Sequence, residues 1–333
     1  MSVEPAVALD EIEAARVRIA EAVRPTPQVV SSALSDLAGA PVHLKLDHLQ
    51  ATGSFKLRGA SNAVLQLDEA ARARGVVGVS TGNHGRALAH AARRVGARCV
   101  ICMSALAPAN KAEGVRAEGA EARIIGESQD EAQEEVDRLV AKEGLVMIPP
   151  FDHRDVIAGQ GTLGLEMLEA APDARVALIQ LSGGGLISGV AAALKALKPG
   201  IRVIGVSMAR GAAMQASLEA GRPVAVEELA TLADSLGGGI GLENRLTFPM
   251  VRDLVDEVVL LSEAEIAAGV RHCYWLERQI VEGAGAVGVA ALLAGRVALE
   301  GPALVLLSGA NIDMKIHHRI ISGENVDIAA EGR

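Results

Sequence analysis

Residues 176–197 read VALIQLSGGGLISGVAAALKAL, and this stretch indicates the class of fold. Its first six residues form an apolar run typical of a buried strand, and residues 186–197 have the pattern of a helix. Similar strand-like runs lie at 42–46, 76–80, 97–102, 121–125, 145–148, 202–207, 257–261 and 303–307. Helical patterns lie at 9–23, 54–67, 85–95, 128–143 and 284–294. The alternation predicts an α/β fold of parallel sheets flanked by helices, and this many strands favours two lobes over one open sheet.

The composition excludes several classes of function. Half of the 333 residues are hydrophobic, which is enough for one or two domains with a sizeable core. The net charge of −9 argues against nucleic acid and against an anionic membrane surface, since both need a basic patch. No apolar run approaches the ~20 residues that span a bilayer, and acidic residues stand where a signal peptide is basic. We therefore expect a cytoplasmic protein.

Two of the three cysteines, Cys99 and Cys102, form a C-x-x-C that could be redox-active or half of a zinc site. They lie in the apolar run ARCVICM, which predicts a buried strand, and residues three apart on a strand point to opposite faces. The sequence contains no second C-x-x-C. Small core residues in a reducing compartment are the favoured interpretation.

The stretch 52–60, TGSFKLRGA, places a lysine near a predicted helix start. Ser54 is a good N-cap residue, so Lys56 would lie in the first turn, where the helix dipole is positive. This repulsion, together with burial between Phe55 and Leu57, is expected to lower the lysine pKa and make its amine a nucleophile. Taken alone, the position favours a solvated lysine, whereas the flanking Gly-Ser-Phe and Arg-Gly favour a catalytic one.

Residues 80–85, STGNHG, directly follow a predicted strand and begin a helix. Two hydroxyls, a side-chain amide and backbone N–H groups at a helix N-terminus suit an anion such as a substrate carboxylate. An ordinary cap and turn would explain Ser80 and Gly82 but not the whole cluster. His84 by itself is most simply a core histidine with a satisfied hydrogen bond.

Three further stretches lie at strand or helix ends. Residues 182–186, SGGGL, can wrap a phosphate with backbone N–H groups, although a flexible loop is the alternative and no Walker A lysine follows. Residues 283–288, GAGAVG, match G-x-G-x-x-G but follow a helical pattern, which predicts close helix packing rather than nicotinamide binding. Residues 307–311, LSGAN, end the last strand, where the Ser308 hydroxyl could contact a ligand.

Taken together and in this order, these motifs resemble those of the fold-type-II pyridoxal-phosphate (PLP) family of serine/threonine dehydratases and serine racemases. The resemblance extends over about residues 10–320. It implies PLP as the cofactor and a two-lobed, tryptophan synthase β-like fold. In that fold, residues 1–46 and 147–333 would form the large cofactor-binding domain and 47–146 the small domain. Family members are usually dimers, so the resemblance also implies a homodimer.

The resemblance assigns roles to individual residues. Lys56 would carry the cofactor covalently, with Phe55 packed beside its ring. Asn83 would bond the 3′-oxygen, Ser308 would face the pyridine nitrogen, and Glu282 matches a glutamate near the ring. The phosphate would be held by Gly183, Gly184, Gly185 and Leu186. The substrate carboxylate would be held by the loop residues Ser80, Thr81, Gly82 and His84.

Three departures from the family pattern bear on function. Residues 205–213, GVSMARGAA, lack the glutamate and aspartate of members with a cation site, so we predict no metal there. Thr81 stands where serine racemases place a serine acid, which weakens a racemase interpretation. Ser182 replaces the usual first glycine of the phosphate loop, and its hydroxyl could bond the phosphate instead.

The predicted function is a PLP-dependent dehydratase that converts a β-hydroxy amino acid into a 2-oxo acid and ammonia. Lys56 would remove the α-proton, and the neutral Ser308 favours prompt elimination of the hydroxyl. The stretches STGNHGRALA, VSMARGAAM and ADSLGGGIGL look most like the hydroxyectoine-utilisation dehydratases, so the substrate is threonine- or serine-like or derived from hydroxyectoine. An amino-acid racemase is the main alternative; a nicotinamide oxidoreductase and a non-catalytic binding protein also stay open.

Overall fold

A computed structural model describes residues 6–80, 82–105, 109–126 and 129–328. The helices in these ranges are α1 (Leu9–Ile19), α2 (Ser32–Ala38), α3 (Lys56–Gln66), α4 (Glu69–Arg74), α5 (Asn83–Arg94), α6 (Ala109–Ala117), α7 (Gln129–Glu143), α8 (Arg154–Ala170), α9 (Gly185–Leu197), α10 (Ala213–Ala220), α11 (Thr247–Leu254), α12 (Glu263–Trp275), α13 (Gly283–Leu293) and α14 (Met314–Ile321). The strands are β1 (Gln28–Val30), β2 (Val42–Lys45), β3 (Val76–Val79), β4 (Cys99–Met103), β5 (Glu121–Ile124), β6 (Val146–Met147), β7 (Val176–Gln180), β8 (Arg202–Met208), β9 (Glu257–Leu261) and β10 (Ala303–Leu306).

Six strands form one sheet in the order β1-β2-β10-β7-β8-β9. All neighbouring pairs are parallel except β1 and β2. Along β10, Ala303 and Val305 pack into one hydrophobic cluster, whereas Leu304 and Leu306 pack into another. Because successive side chains on a strand point to opposite faces, both faces of this sheet are buried under helices, as the sequence predicts.

The other four strands form a parallel sheet in the order β5-β4-β3-β6. Cys99 and Cys102 of β4 are both buried and unbonded, and they belong to different hydrophobic clusters. The prediction that they are core residues on opposite faces is confirmed. Burial raises the pKa of the Cys99 thiol to about 12 and that of Cys102 to about 11, so both stay protonated and unreactive.

Helix α3 is held against α8 by a contact between two glycines. A Cβ on Gly159 of α8 would lie 2.7 Å from the Cα of Gly59 and 2.7 Å from the Arg58 carbonyl oxygen. No side chain fits there, so the two backbones meet directly. This joint fixes the position of Lys56, which begins α3 one turn earlier.

Most of the predicted elements agree with the structure to within a few residues. Eight elements have no counterpart in the prediction: β1, whose three residues give too little periodicity to recognise, and the helices α2, α4, α6, α8, α10, α11 and α14. Helix α1 ends at Ile19 rather than at residue 23, and residues 20–22 form a turn before Pro25. The segment before GAGAVG is helical only to Trp275 and irregular afterwards. Among the described helices, none is long and apolar enough to cross a membrane.

The glycines of GAGAVG begin α13 and pack it closely, as predicted. A Cβ on Gly285 would lie 2.6 Å from the Gly309 carbonyl oxygen, and one on Gly288 would lie 2.8 Å from a Val305 methyl carbon. The motif follows an irregular segment and not a strand, so it lacks the context of a dinucleotide fingerprint. Its function in the structure is to bring α13 against the end of β10.

Candidate active site

The lysine segment is attached to the end of β10 by two backbone hydrogen bonds, which together make an antiparallel β-bridge. The Phe55 N–H donates to the Ser308 carbonyl at 3.0 Å, the Ala310 N–H donates to the Gly53 carbonyl at 2.9 Å, and Ser54 forms a β-bridge with Gly309. Ser308 itself is buried. The segment around Lys56 and the end of the last strand, which are about 250 residues apart in sequence, therefore form one unit.

Lys56 has the reactive character that its sequence context predicts, though not through the predicted cap. Its Nζ donates to the Pro150 carbonyl at 2.7 Å and lies 5.4 Å from the centroid of the Phe55 ring. Burial lowers the pKa of Lys56 to about 8. The prediction of Ser54 as the N-cap is wrong: Phe55 holds that position, and the buried Ser54 hydroxyl has no hydrogen-bond partner among the described residues. The Ser54 backbone is held instead in the bridge to Gly309, and its side chain does not cap the helix.

In the loop between β3 and α5, the Ser80 hydroxyl is hydrogen-bonded to the backbone of the loop and of the helix. The Ser80 Oγ accepts hydrogen bonds from the Gly82 N–H at 3.1 Å and the Gly85 N–H at 3.0 Å. Ser80 therefore acts as a cap for α5, which is the simpler of the two sequence interpretations for this residue. Thr81 lies outside the described residues.

His84 is a buried, neutral histidine with one free ring nitrogen. Its Nε2 donates to the Ile148 carbonyl at 2.8 Å. Burial, with a smaller effect of the nearby Lys56 charge, lowers the pKa of His84 to about 3. The neutral ring therefore carries its proton on Nε2, which leaves Nδ1 as an acceptor. That Nδ1 is buried and has no partner among the described residues.

Asn83 is the centre of a chain of three polar side chains. Its Nδ2 donates to Glu282 Oε1 at 2.6 Å, and its Oδ1 accepts from Asn311 Nδ2 at 2.6 Å. The other Glu282 oxygen, Oε2, is buried without a partner among the described residues. Burial and the Asp234 charge raise the pKa of Glu282 to about 7. Asn311 is the third member of this chain. The sequence predicts no role for it, because nothing in a single sequence marks this residue beyond its place after LSG.

The glycine loop after β7 is shaped by Phe151. A Cβ on Gly183 would overlap the Phe151 ring, and a Cβ on Gly185 would lie 2.8 Å from the Phe151 Cα. Gly184 has a φ of +91° and is the N-cap of α9, a backbone conformation that favours glycine. The Thr247 hydroxyl donates to the Gly183 carbonyl at 2.6 Å and holds the loop in place. Leu186 is buried in the first turn of α9, whose leading N–H groups have no acceptor within the helix.

The residue pair Pro150 and Phe151 connects the lysine to the glycine loop. The Pro150 carbonyl accepts a hydrogen bond from the Lys56 amine, and Phe151 packs against Gly183 and Gly185. On the other side, a Cβ on Gly309 would lie 3.3 Å from Asn83 Nδ2, next to the backbone that holds the lysine segment. The structure thus brings the lysine, the amide–carboxyl chain and the phosphate-type loop around one place.

This arrangement fits PLP on structural grounds. A glycine cradle at a helix N-terminus suits its phosphate, and a lysine with a lowered pKa suits its aldehyde. Buried polar atoms without partners suit the substituents of a polar ring, and three such atoms lie in this region: Ser54 Oγ, His84 Nδ1 and Glu282 Oε2.

The chain belongs to the family of pyridoxal-phosphate dependent enzymes, whose family model matches residues 19–309. It is 61% identical over 318 residues to a Sinorhizobium fredii protein provisionally named a threonine dehydratase, a match covering 95% of this chain and 96% of that protein. It is 41% identical over 317 residues to the L-threonine ammonia-lyase of Thermotoga maritima, covering 95% and 78% of the two chains. Maize serine racemase is similar in structure, with a TM-score of 0.90, 34% identity, and 95% and 97% of the chains covered.

These comparisons confirm the predicted family, the fold-type-II α/β architecture and the PLP cofactor. The roles of individual residues remain predictions. The structure also places two residues near the site that the sequence motifs did not reveal. Ser235, whose Oγ lies 3.4 Å from Asn83 Nδ2, and Lys111, which pairs with Asp234, both lie near the predicted substrate loop. Within the described residues there is no cluster of three or more His, Cys, Asp or Glu side chains arranged to hold a metal ion.

Proposed function

We propose that this protein is an ammonia-lyase that dehydrates L-threonine or a related β-hydroxy α-amino acid to a 2-oxo acid and ammonia. The observation that carries the proposal is the position of Lys56: a half-buried amine with its pKa lowered to about 8, attached to the end of β10 beside an uncharged Ser308. The names of the Sinorhizobium fredii and Thermotoga maritima relatives support the same reaction.

Each residue then has a separate task. When bound, PLP supplies an electron sink for negative charge at the substrate α-carbon. The Lys56 amine takes the α-proton at Nζ, and its lowered pKa lets it hold and release that proton near neutral pH. Ser308 has no ionised carboxylate with which to keep a proton on the pyridine nitrogen, which favours prompt elimination. The glycine loop binds the phosphate through backbone N–H groups at the start of α9.

The domain division that the sequence predicts is also part of the proposal. The six-stranded sheet uses strands from residues 28–45 and 176–306, and the four-stranded sheet uses strands from 76–147. This distribution supports a large domain of residues 1–46 and 147–333 and a small domain of residues 47–146. Strand β6 (Val146–Met147) belongs to the four-stranded sheet and crosses the proposed boundary by one residue.

The reaction is tested on the purified holoenzyme with L-threonine, L-serine, 3-hydroxyaspartate and a diamino acid derived from hydroxyectoine. We expect a 2-oxo acid and ammonia in equal amounts from at least one of them. Preference for the diamino acid would support the finer assignment to hydroxyectoine utilisation, which rests on sequence resemblance. Absence of 2-oxo acid from every substrate would overturn the proposed elimination.

Two lysine variants complete this experiment. In Lys56→Ala, the visible absorbance of the lysine-bound cofactor should disappear and turnover should fall about 10³-fold or more, in line with the loss of a general base. Lys195→Ala changes a lysine in the last turn of α9, at the opposite end of that helix from the glycine loop, and should retain both. A Lys56→Ala protein that keeps the absorbance and the turnover would contradict the catalytic role.

An amino-acid racemase is the alternative, favoured by the likeness to maize serine racemase. Chiral analysis of serine or aspartate recovered after incubation distinguishes the two reactions. A racemase returns the opposite enantiomer with little 2-oxo acid, whereas the proposed lyase consumes the amino acid without inverting what remains.

We further propose a cytoplasmic homodimer. The three cysteines are free and buried, which fits a reducing compartment. Large apolar side chains are exposed on β1 and in the segment after α12, namely Val29, Val30, Leu276 and Ile280. The molar mass of the protein in solution, measured by light scattering, tests the dimer.

A further inference from the structure

Lys111 forms an ion pair whose two members differ in exposure. It lies on α6, which packs against α5 and β5, and its ammonium binds the carboxylate of Asp234. Asp234 begins a short 3-10 turn, Asp234–Leu236, that packs against α13. The Lys111 side chain is 14% exposed and that of Asp234 is 48% exposed. The cation is therefore largely withdrawn from water, whereas its partner is half in water.

The ammonium also lies beside the predicted substrate loop. Its Nζ is 3.8 Å from the point that a Cβ on Gly82 would occupy. An ammonium has three N–H donors, and in the described ranges Asp234 is the only hydrogen-bond partner of Lys111. Burial would lower the pKa of Lys111, but the Asp234 and Glu282 charges outweigh it and raise that pKa, so the amine is charged. A charged group with spare donors thus faces the N-terminal end of α5.

We propose that Lys111 is a positioning residue for the carboxylate of the amino-acid substrate, and that its ammonium exchanges Asp234 for that carboxylate on binding. The exposure of the pair decides which member leaves. Asp234 can be hydrated where it stands, whereas a largely buried ammonium needs an opposite charge beside it. This inference rests on the proposed function only in requiring an α-amino acid as the ligand.

The proposed exchange of partners at Lys111 can be distinguished from a purely structural role, in which the Lys111–Asp234 ion pair only ties the two segments together. If Asp234 competes with the substrate for Lys111, removing the Asp234 charge should strengthen carboxylate binding, and removing the Lys111 charge should weaken it. If the pair only holds the site together, both substitutions should weaken binding. The signs of the two effects therefore separate the two interpretations.

The experiment compares L-alanine with ethylamine, which differ by the carboxylate alone and carry no β-hydroxyl to eliminate. Binding to the holoenzyme is read from the change in the visible absorbance of the bound cofactor. Lys111→Met should weaken the binding of L-alanine by about tenfold or more, as expected for loss of a charged hydrogen bond. The affinity for ethylamine should change by less than about twofold. Asp234→Asn should tighten L-alanine severalfold and leave ethylamine unchanged.

The chain offers a matched control in the Lys195–Asp256 ion pair. Its N–O distance is 2.6 Å, and its side chains are 21% and 40% exposed, close to the values of the Lys111 pair. Lys195→Met and Asp256→Asn should leave the affinities of both ligands unchanged. If Lys111→Met does not fold, the Asp234→Asn variant decides, because the tie predicts weaker L-alanine binding and the exchange predicts tighter binding.

Three results would overturn the proposal. They are an equal loss of affinity for L-alanine and ethylamine in Lys111→Met, a change of L-alanine affinity in the same direction in Lys111→Met and Asp234→Asn, and an unchanged L-alanine affinity in both variants. Neither ligand requires elimination to bind. A holoenzyme that releases 2-oxo acid from none of the β-hydroxy amino acids would therefore disprove the proposed reaction without affecting this test.

Discussion

Two cations two residues apart on α3 have opposite electrostatic environments. Arg58 is fully buried, and all five of its N–H donors are used, by Asp47, Glu166 and Thr162. Burial alone would lower the pKa of Arg58, but the two carboxylates outweigh it and raise that pKa. Among the described residues, Lys56 has a carbonyl oxygen and no carboxylate as its partner, so burial lowers its pKa to about 8. The partner, more than burial itself, decides whether a cation in this helix is permanently charged or ready to lose a proton.

The comparison extends to the groups around each cation. In the Arg58 cluster, the Arg58 guanidinium outweighs the effect of burial on Asp47 and lowers its pKa, and Thr26 and Gln50 also donate to that carboxylate. Around Lys56, His84 Nδ1 and Glu282 Oε2 have no partners among the described residues. The first cluster is complete in the protein alone, whereas the second has atoms left for a ligand.

The largest expected effect comes from breaking the complete cluster. Arg58→Met leaves the buried Asp47 without its counter-charge, whereas Glu166 keeps Lys45 at 2.6 Å, and loss of one member of a buried pair costs about 3–5 kcal/mol. We expect the free energy of unfolding, measured by urea denaturation, to fall by that amount. A loss below about 1 kcal/mol would show that the cluster is not the stabilising element described above.

The next effect concerns the glycine loop. Gly183→Ala places a methyl group on the Phe151 ring, and overpacking of this kind costs about 1–3 kcal/mol. We expect weaker PLP binding, measured by titration of the cofactor-free protein, together with a lower unfolding free energy. Gly200→Ala is the control, because no atom lies within 4 Å of its Cβ position. Equal PLP affinity in the two variants would contradict the role of the loop.

Glu282 should give a pH-dependent effect of smaller size. Its pKa is raised from 4.5 to about 7, so the folded protein binds more protons than the unfolded chain between these values. This contribution to stability is complete below pH 4.5 and is lost as the pH rises through 7, with a slope of up to ~1.4 kcal/mol per pH unit. Glu282→Gln should remove that slope in urea denaturation of the cofactor-free protein. An unchanged slope would mean that Glu282 is ionised throughout.

The smallest effect should come from an exposed pair. Arg16 and Glu169 have side chains that are 48% and 59% exposed, so Arg16→Met should change the unfolding free energy by less than about 1 kcal/mol. Because the substitution is the same as at Arg58, the difference between the two variants measures the effect of burial and pairing. Similar losses at both sites would contradict the comparison.

The sequence predicts the framework well because that framework depends on local patterns. Apolar runs such as VALIQL locate the strands, and glycines after strands locate the loops. The polar connections depend on residues that are distant in sequence: Asn83 and Glu282 are 199 residues apart. The same reason explains the wrong N-cap, since local preference favours Ser54 at the helix start but the bridge to Gly309 overrides it. Lys111 and Asp234, 123 residues apart, give no local signal at all.

The contact between Gly59 and Gly159 has a mechanical consequence. At this joint the two backbones touch, and the Gln160 side chain fills the space beside Gly59, with its Oε1 accepting from the Gly59 N–H at 3.3 Å. We expect any relative movement of α3 and α8 to pivot about this point, because sliding would break the close backbone contact. Since Lys56 begins the same helix one turn earlier, we expect the reactive amine to lie close to this pivot and to move little. The amine would then keep its position relative to the end of β10 while the site admits a substrate.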